Sequence, residues 1–298
     1  MLLMIRPAAF ELNAQTAVNN YFQPQSADDA EAIHAEALRE FNALVDALHS
    51  ADIETVVVQD TIEPHTPDSI FPNNWVSFHE EGHVLYPMFA ANRRLERGLD
   101  IWSVLPPSMC VLDLSDEENL GRYLEGTGSL VLDRKHRVAY AALSPRTHVE
   151  LVTRWCEVMN YTPVVFNALQ TVDGKRLPIY HTNVMMSVGE GLALWCPSTI
   201  DDESEREKVE QSLSKGNCEP IAISEAQMHS FAGNILQVFN RKNEPFILMS
   251  AAAEAALRGP ALSALKHHGT ILSSPIPTIE RYGGGSLRCM VAEVVASE

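Results

Sequence analysis

Several things are scarce in this sequence. It has 5 cysteines among 298 residues, none paired as C-x-x-C. An odd, scattered set argues against a disulfide framework and for a reducing compartment, so a cytoplasmic location is the expectation. Basic residues are few: 22 Lys and Arg stand against 39 Asp and Glu, a formal charge of −17. A surface that acidic repels phosphate backbones and anionic headgroups, so neither a nucleic-acid nor a membrane partner is expected. No stretch approaches the roughly 18 consecutive apolar residues of a membrane span. The segment Met1-Leu2-Leu3-Met4-Ile5-Arg6-Pro7 has too short an apolar run, and no cationic lead, for a secretion signal. No two histidines take helical ligand spacing around a glutamate, so no metal site is expected. Gly283-Gly284-Gly285 is not followed by Lys-Ser/Thr, which disfavours a phosphate-binding loop. Long linkers and low-complexity tracts are missing too, and residues 1–298 read as a single domain.

What is present alternates. Residues 2–5 and 55–58 are brief, apolar or β-branched runs typical of buried strands. Between them, residues 26–50 carry a helical apolar face of Ile33, Ala37, Phe41, Leu44 and Leu48, with Ser26 as the expected N-cap and Asp28, Asp29 and Glu31 near the positive helix end. Four hairpins are expected, at 75–78 with 83–86, 130–132 with 138–141, 184–187 with 192–196, and 235–239 with 246–249. Helical patterns fall near 92–104, 147–160, 202–215, 224–231 and 251–268, and closing strands at 270–273 and 289–295. Hairpin and helix recur roughly every 50–60 residues, about five times, without a residue-level repeat. Such recurrence fits α/β units around a centre better than a doubly wound sheet.

Among the residues able to do chemistry, Cys289 follows Tyr282-Gly283-Gly284-Gly285-Ser286-Leu287-Arg288. Glycines permit close backbone approach to a ligand, and a thiol beside Arg288 is a candidate nucleophile; a buried structural cysteine at the start of a core strand is the equal alternative. Cys110, Cys156, Cys196 and Cys218 sit in apolar or helical contexts and read as structural. His181 stands at the mouth of an expected strand, where it can exchange protons near neutral pH. Glu125 opens Glu125-Gly126-Thr127-Gly128, whose small neighbours would let the carboxylate be held inward to orient a histidine. The run Thr66-Pro67-Asp68-Ser69-Ile70-Phe71-Pro72-Asn73-Asn74-Trp75 sets a carboxylate and two amides ahead of a strand, although such residues also serve plain turns.

In that order, the Asp/Asn block, E-G-x-G, His and a C-terminal G-G-x-x-x-R-C-M resemble the guanidine-modifying, or pentein (amidinotransferase), superfamily. The branch most similar is that of the citrulline hydrolases, related to arginine deiminases. The resemblance spans Pro67 to Met290 and implies an α/β fold, a five-bladed propeller of ββαβ-type repeats with its site on the central axis. It implies Cys289 as nucleophile, His181 as acid/base and Glu125 as the orienting carboxylate. Asp68 matches a substrate-contacting aspartate, and Arg93-Arg94-x-Glu96 resembles a stretch whose arginine, here Arg94, binds a substrate carboxylate. No cofactor is implied; the partner is a small amino-acid substrate, and a homo-oligomer is left open.

Three positions depart from the guanidinium-acting relatives. Asn74, preceded by Asn73, stands where they carry an acid; His181-Thr182-Asn183 replaces H-x-D; and Gly128 ends a motif that often reads E-G-G-D. A guanidinium offers only N–H donors, whereas a ureido group adds a C=O acceptor, which an amide can match. The expectation is therefore hydrolysis of the ureido group of L-citrulline to ornithine, ammonia and carbon dioxide through an S-acyl enzyme, with Asn73, Asn74 and Asn183 in the binding set. Arginine deiminase, another guanidine hydrolase or an amidinotransferase is the alternative; a non-catalytic binding factor of the same fold is the third.

Overall fold

A computed structural model describes residues 1–24, 29–215 and 219–295. Short β-branched and apolar runs pair locally into four antiparallel hairpins: Val76–His79 with Gly82–Leu85, Val131–Asp133 with Val138–Leu143, Met186–Gly189 with Leu192–Trp195, and Leu236–Phe239 with Pro245–Ser250. The second strand of each then pairs in parallel with a third: Cys110–Asp113, Thr162–Asn167, Glu219–Ala222 and Thr270–Ser274 in turn. Parallel neighbours require a crossover. Helical segments supply it: Ala91–Gly98, Val149–Met159, Glu203–Lys215, and the pair Ala251–Ala256 and Pro260–Leu265.

The fifth sheet draws on both ends of the chain. Ala292–Glu293 runs antiparallel to Leu2–Arg6, which pairs in parallel with Thr55–Gln59 across the helix Ala30–Ser50. Among the described residues, five three-stranded sheets of one order therefore make up a mixed α/β fold, accompanied by a two-stranded ribbon. The apolar core is divided among neighbouring sheets. Leu3 and Ile5 pack with Trp75 and Phe78, Val84 and Leu112 with Ala139 and Trp155, and Leu2 and Met4 with Leu44 and Leu248. Truncating a fully buried member such as Phe41 or Trp155 to alanine costs about 3–5 kcal/mol.

Five local expectations are corrected. Ser26 and Asp28 lie outside the described residues, and Asp29 caps the helix by accepting from the Glu31 N–H. The pattern at 251–268 splits because Gly259, with φ +76°, and Pro260 cannot continue a helix. The segment at 92–104 is a 3₁₀ helix, Ala91–Gly98, whose three-residue turn stacks Arg93 over Glu96. Cys289 does not begin a strand: Leu287–Met290 is a single 3₁₀ turn, and only Ala292–Glu293 pairs. Of the cysteines read as structural, Cys156 and Cys196 are buried, Cys110 is exposed, and Cys218 lies outside the described residues. One hairpin was not expected, Leu169–Val172 with Lys175–Pro178. Its turn is Asp173-Gly174, both with positive φ (49° and 74°), the pair that suits the twist of a two-residue hairpin. Among the described residues no helix is long and apolar enough to cross a membrane, and no three His, Cys, Asp or Glu cluster to hold a metal.

Candidate active site

A tight turn precedes one outer strand of each three-stranded sheet. These turns are Pro72–Asn74, Gly126–Ser129, Thr182–Val184, the Gly233-Asn234 step, and Leu287–Met290. They touch one another, and between them they carry most of the chemistry in the sequence. The E-G-x-G spacing answers to this crowding. A Cβ on Gly126 would stand 2.2 Å from the Asn73 carbonyl oxygen, and its φ of +46° is itself unfavourable to other residues. A Cβ on Gly128 would stand 2.5 Å from Asn74 Nδ2 and 2.8 Å from His181 Nδ1.

Cys289, His181, Asp68, Asn74, Arg93 and Arg146 line one small cavity of about 20 Å³, room for a water or two. Glu125 is wholly buried behind His181. Its Oε2 takes the His181 Nε2–H at 2.7 Å, and its Oε1 takes the Phe89 N–H at 2.9 Å. Burial alone would raise the Glu125 carboxyl, but Arg146 at 3.4 Å, the His181 contact and Arg93 outweigh it and hold the group far below the usual range. Burial acts the other way on His181. Desolvation, aided by Arg146 and Arg93, outweighs Glu125 and lowers the imidazole to about 4. At neutral pH the histidine is therefore uncharged, with its proton on Nε2 toward Glu125 and its Nδ1 lone pair free to accept a proton.

Two amides face the thiol. Asn183 Nδ2 lies 3.5 Å from Cys289 Sγ, and Asn234 Nδ2 lies 3.3 Å from it while donating to the Asn183 carbonyl at 3.0 Å. Arg288, adjacent in sequence, turns away: it donates to the Val291 carbonyl at 3.1 Å and lies 3.7 Å from Glu293. Of the three glycines before Cys289, only Gly284 has a positive φ. The other two pack against the Phe71 ring.

The expected binding residues are distributed unevenly. Asp68 is buried; its Oδ2 accepts from Asn13 Nδ2 (2.8 Å) and Thr16 Oγ1 (3.2 Å), and its Oδ1 has no partner. Desolvation raises its carboxyl despite Arg93. Asn74 Oδ1 accepts from Arg93 Nη1 at 2.8 Å and leaves its own NH₂ buried and unpartnered. Asn73 donates to Thr127 Oγ1 at 3.3 Å, away from the cavity lining. Arg94 does not line the cavity either. Its Nε donates to the Met88 carbonyl at 3.1 Å, and it lies over Tyr123.

Four contributors were not assigned a role from the sequence, Arg93 among them although it stands beside Arg94 in the R-R-x-E stretch. Arg93 is buried in a two-pronged pair with Glu96 at 2.8 and 2.9 Å. Arg146 is flanked by the rings of Phe89 and Tyr180. The segment 13–23 closes the front through Asn20 to the Gly284 carbonyl and Gln23 to the Tyr282 carbonyl. Asn234 is the fourth, and a signal existed for it. Three other hairpins are also preceded by a polar side chain on a tight turn, and Gly233-Asn234 holds that place in the fourth.

With this geometry in hand, the sequence can be placed. The family model described as N,N dimethylarginine dimethylhydrolase, eukaryotic, matches residues 6–296. The chain belongs to this family. It thereby falls within the pentein superfamily of guanidine-modifying enzymes. No curated protein matches the sequence. Among solved structures, the N-terminal domain of ArgZ with a covalently bound reaction intermediate is 17% identical, with a TM-score of 0.76 over 99% of this chain and 98% of that one. AgrE with ornithine and NAD+ is 18% identical at a TM-score of 0.76, and there the chain spans 39% of the longer protein. The dimethylarginine dimethylhydrolase of Pseudomonas aeruginosa, complexed with citrulline, is 15% identical at 0.67, over 98% of this chain and 97% of that one. At these identities the likeness speaks to the fold.

Proposed function

We propose that the protein is a cysteine-dependent hydrolase of the ureido group of L-citrulline, built as a five-bladed α/β-propeller with the site on its axis. The observation that carries this reading is the orientation of Asn74. A guanidinium has only donors, so the amide atom facing Arg93 at 2.8 Å must be the oxygen. The unpartnered atom of this cavity-lining residue is consequently the NH₂, a donor. A guanidinium substrate would set donor against donor there. A ureido oxygen accepts the contact, while Asp68 Oδ1 remains as the acceptor for ureido N–H groups.

In the reaction, the Cys289 sulfur bonds to the ureido carbon and the thiol proton passes to His181 Nδ1. The carbonyl electrons move onto oxygen, where the Asn74 NH₂ stabilises them; one such donor contributes about 3–4 kcal/mol in a preorganised site. His181 returns the proton to the departing nitrogen as the C–N bond breaks. It then takes a proton from water as the water oxygen attacks the S-acyl carbon. The C–S bond breaks, His181 returns that proton to the sulfur, and the released carbamic acid loses carbon dioxide as its C–N bond breaks, freeing the second amine. Throughout, Glu125 fixes the tautomer that keeps Nδ1 available. The contacts of segment 13–23 open to admit substrate, since the closed cavity holds a water or two.

A guanidine hydrolase is the second reading, favoured by the free oxygen of Asp68 and by the likeness to ArgZ, described as an arginine dihydrolase. Purified protein given L-citrulline, L-arginine or N,N-dimethylarginine, with ornithine, citrulline and ammonia measured, separates the two. Ornithine from citrulline, lost in Cys289→Ala, is the expected result. Turnover of arginine or dimethylarginine with citrulline untouched would overturn the ureido assignment.

A further inference from the structure

Behind the catalytic turns lies a second and far larger cavity. It measures about 580 Å³, opens to solvent, and is walled by the first strands of the sheets through residues such as Val131, Leu132, Ser187 and Gln237. Toward the active site its wall is one side chain thick. Asn183 lines this cavity while its Nδ2 stands 3.5 Å from Cys289 Sγ. Two polar atoms on that wall are buried without a partner, Asn183 Oδ1 and Ser187 Oγ. Both atoms lie just beneath the cavity surface, where a small polar molecule passing the wall would satisfy them.

The opposite face explains why such a route matters. Segment 13–23 closes the catalytic cavity: Asn13 and Thr16 bond Asp68, the Thr16 carbonyl takes Arg146, and Asn20 and Gln23 bond the glycine loop. Substrate bound beneath that cover fills the front. Hydrolysis of the S-acyl enzyme still consumes one water, whose oxygen joins the acyl carbon as the C–S bond breaks, and the overall reaction still discharges ammonia. We propose that the rear cavity is a passage for small neutral molecules, water inward and ammonia outward, with the Asn183 amide as its gate. Its cargo rests on the hydrolase reading; its existence does not.

Hydrogen peroxide, a neutral molecule little larger than water, tests the route without substrate by converting the Cys289 thiol to sulfenic acid with release of water. Ser187→Trp fills the passage, and Ser187→Ala leaves it open. Dimedone trapping with peptide mass spectrometry reads the rate at Cys289, and the exposed Cys110 in the same sample is the reference. In Ser187→Trp the Cys289 rate falls about tenfold or more relative to Cys110, because close packing excludes the probe, while Ser187→Ala stays near wild type. With citrulline, Ser187→Trp also accumulates the covalent adduct, and kcat and KM fall together at unchanged kcat/KM. Leu132→Trp fills the same cavity from the neighbouring sheet and replaces Ser187→Trp if that variant does not fold. Equal peroxide rates in a folded plugged variant and wild type would overturn the passage. Slowed peroxide oxidation without any citrulline turnover by wild type would sustain the passage and sink the ureido reading.

Discussion

Replacing Glu125 by glutamine changes one oxygen to NH₂ and removes one charge, and the surrounding contacts fix how the new amide must sit. Oε1 must accept the Phe89 N–H at 2.9 Å, so the glutamine oxygen goes there and its NH₂ faces His181 Nε2. A donor in that place forces the histidine proton onto Nδ1, the atom needed as base. Loss of the correct tautomer in a hydrogen-bonded acid–histidine pair costs about four orders of magnitude in kcat in the serine-protease case, and about 10³–10⁴ is expected here. The same substitution leaves Arg146, 2% exposed, without its carboxylate. Breaking a buried pair from one side costs about 3–5 kcal/mol. With an unfolding entropy near 0.6 kcal/mol/K for 298 residues, that is a fall of about 5–8 °C in Tm. Ornithine release and a calorimetric melt measure the two effects. A Glu125→Gln enzyme within tenfold of wild-type kcat and melting at the wild-type temperature would refute the whole arrangement.

Further outcomes are expected. Asn74→Asp keeps the oxygen that Arg93 needs and puts a second oxygen where the free NH₂ stood, so kcat/KM for citrulline relative to arginine should fall by about 100-fold or more, as paired kinetics would read. Gly128→Ala forces a Cβ to within 3 Å of both His181 Nδ1 and Asn74 Nδ2; activity should drop below detection while circular dichroism stays native, and an active variant would place the base elsewhere. Asn234→Leu removes a donor from both Sγ and the Asn183 carbonyl, lowering kcat by about 10–100-fold, the worth of 1–3 kcal/mol of buried hydrogen bonding.

His181 and His79 are held to about 4 and about 3, in each case chiefly by burial, against 6.5 for the free side chain. Between those values the unfolded chain binds the extra protons. Stability therefore stands in full above pH 6.5 and declines as pH falls toward 4, by about 3 kcal/mol for His181 alone. Melting series across that range would show it, and kcat should hold level down to about pH 5; an acid limb centred at 6.5 would contradict a buried, neutral His181.

Local pattern revealed much of the architecture because hairpins and helices are short-range objects. The face of Ile33, Ala37, Phe41, Leu44 and Leu48 is buried along one helix, and four hairpins lie within a residue or two of their expected positions. The exceptions are also local. The Asp173-Gly174 pair announced a hairpin that went unread, and Gly259-Pro260 announced a break inside a run of apolar residues. Residue type carried the candidate chemistry as well, because a thiol, an imidazole and a carboxylate beside glycines have few bland uses in combination.

Convergence could not be read in this way. Arg93 and Arg94 are neighbours with identical side chains, yet the 3₁₀ turn sends one into the cavity and the other over Tyr123. Asn234 matters through contacts with residues 51 and 55 positions away in the chain. The direction of the Asn74 amide is set by an arginine 19 residues on. By itself the sequence determined the elements, the recurring unit and the family, since these depend on periodicity and on the order of motifs along the chain. Only the tertiary structure decided which side chains meet, which way each amide faces, and that a large cavity stands one residue behind the thiol. Those depend on five turns brought together by packing between sheets, and packing joins residues that spacing along the chain keeps apart.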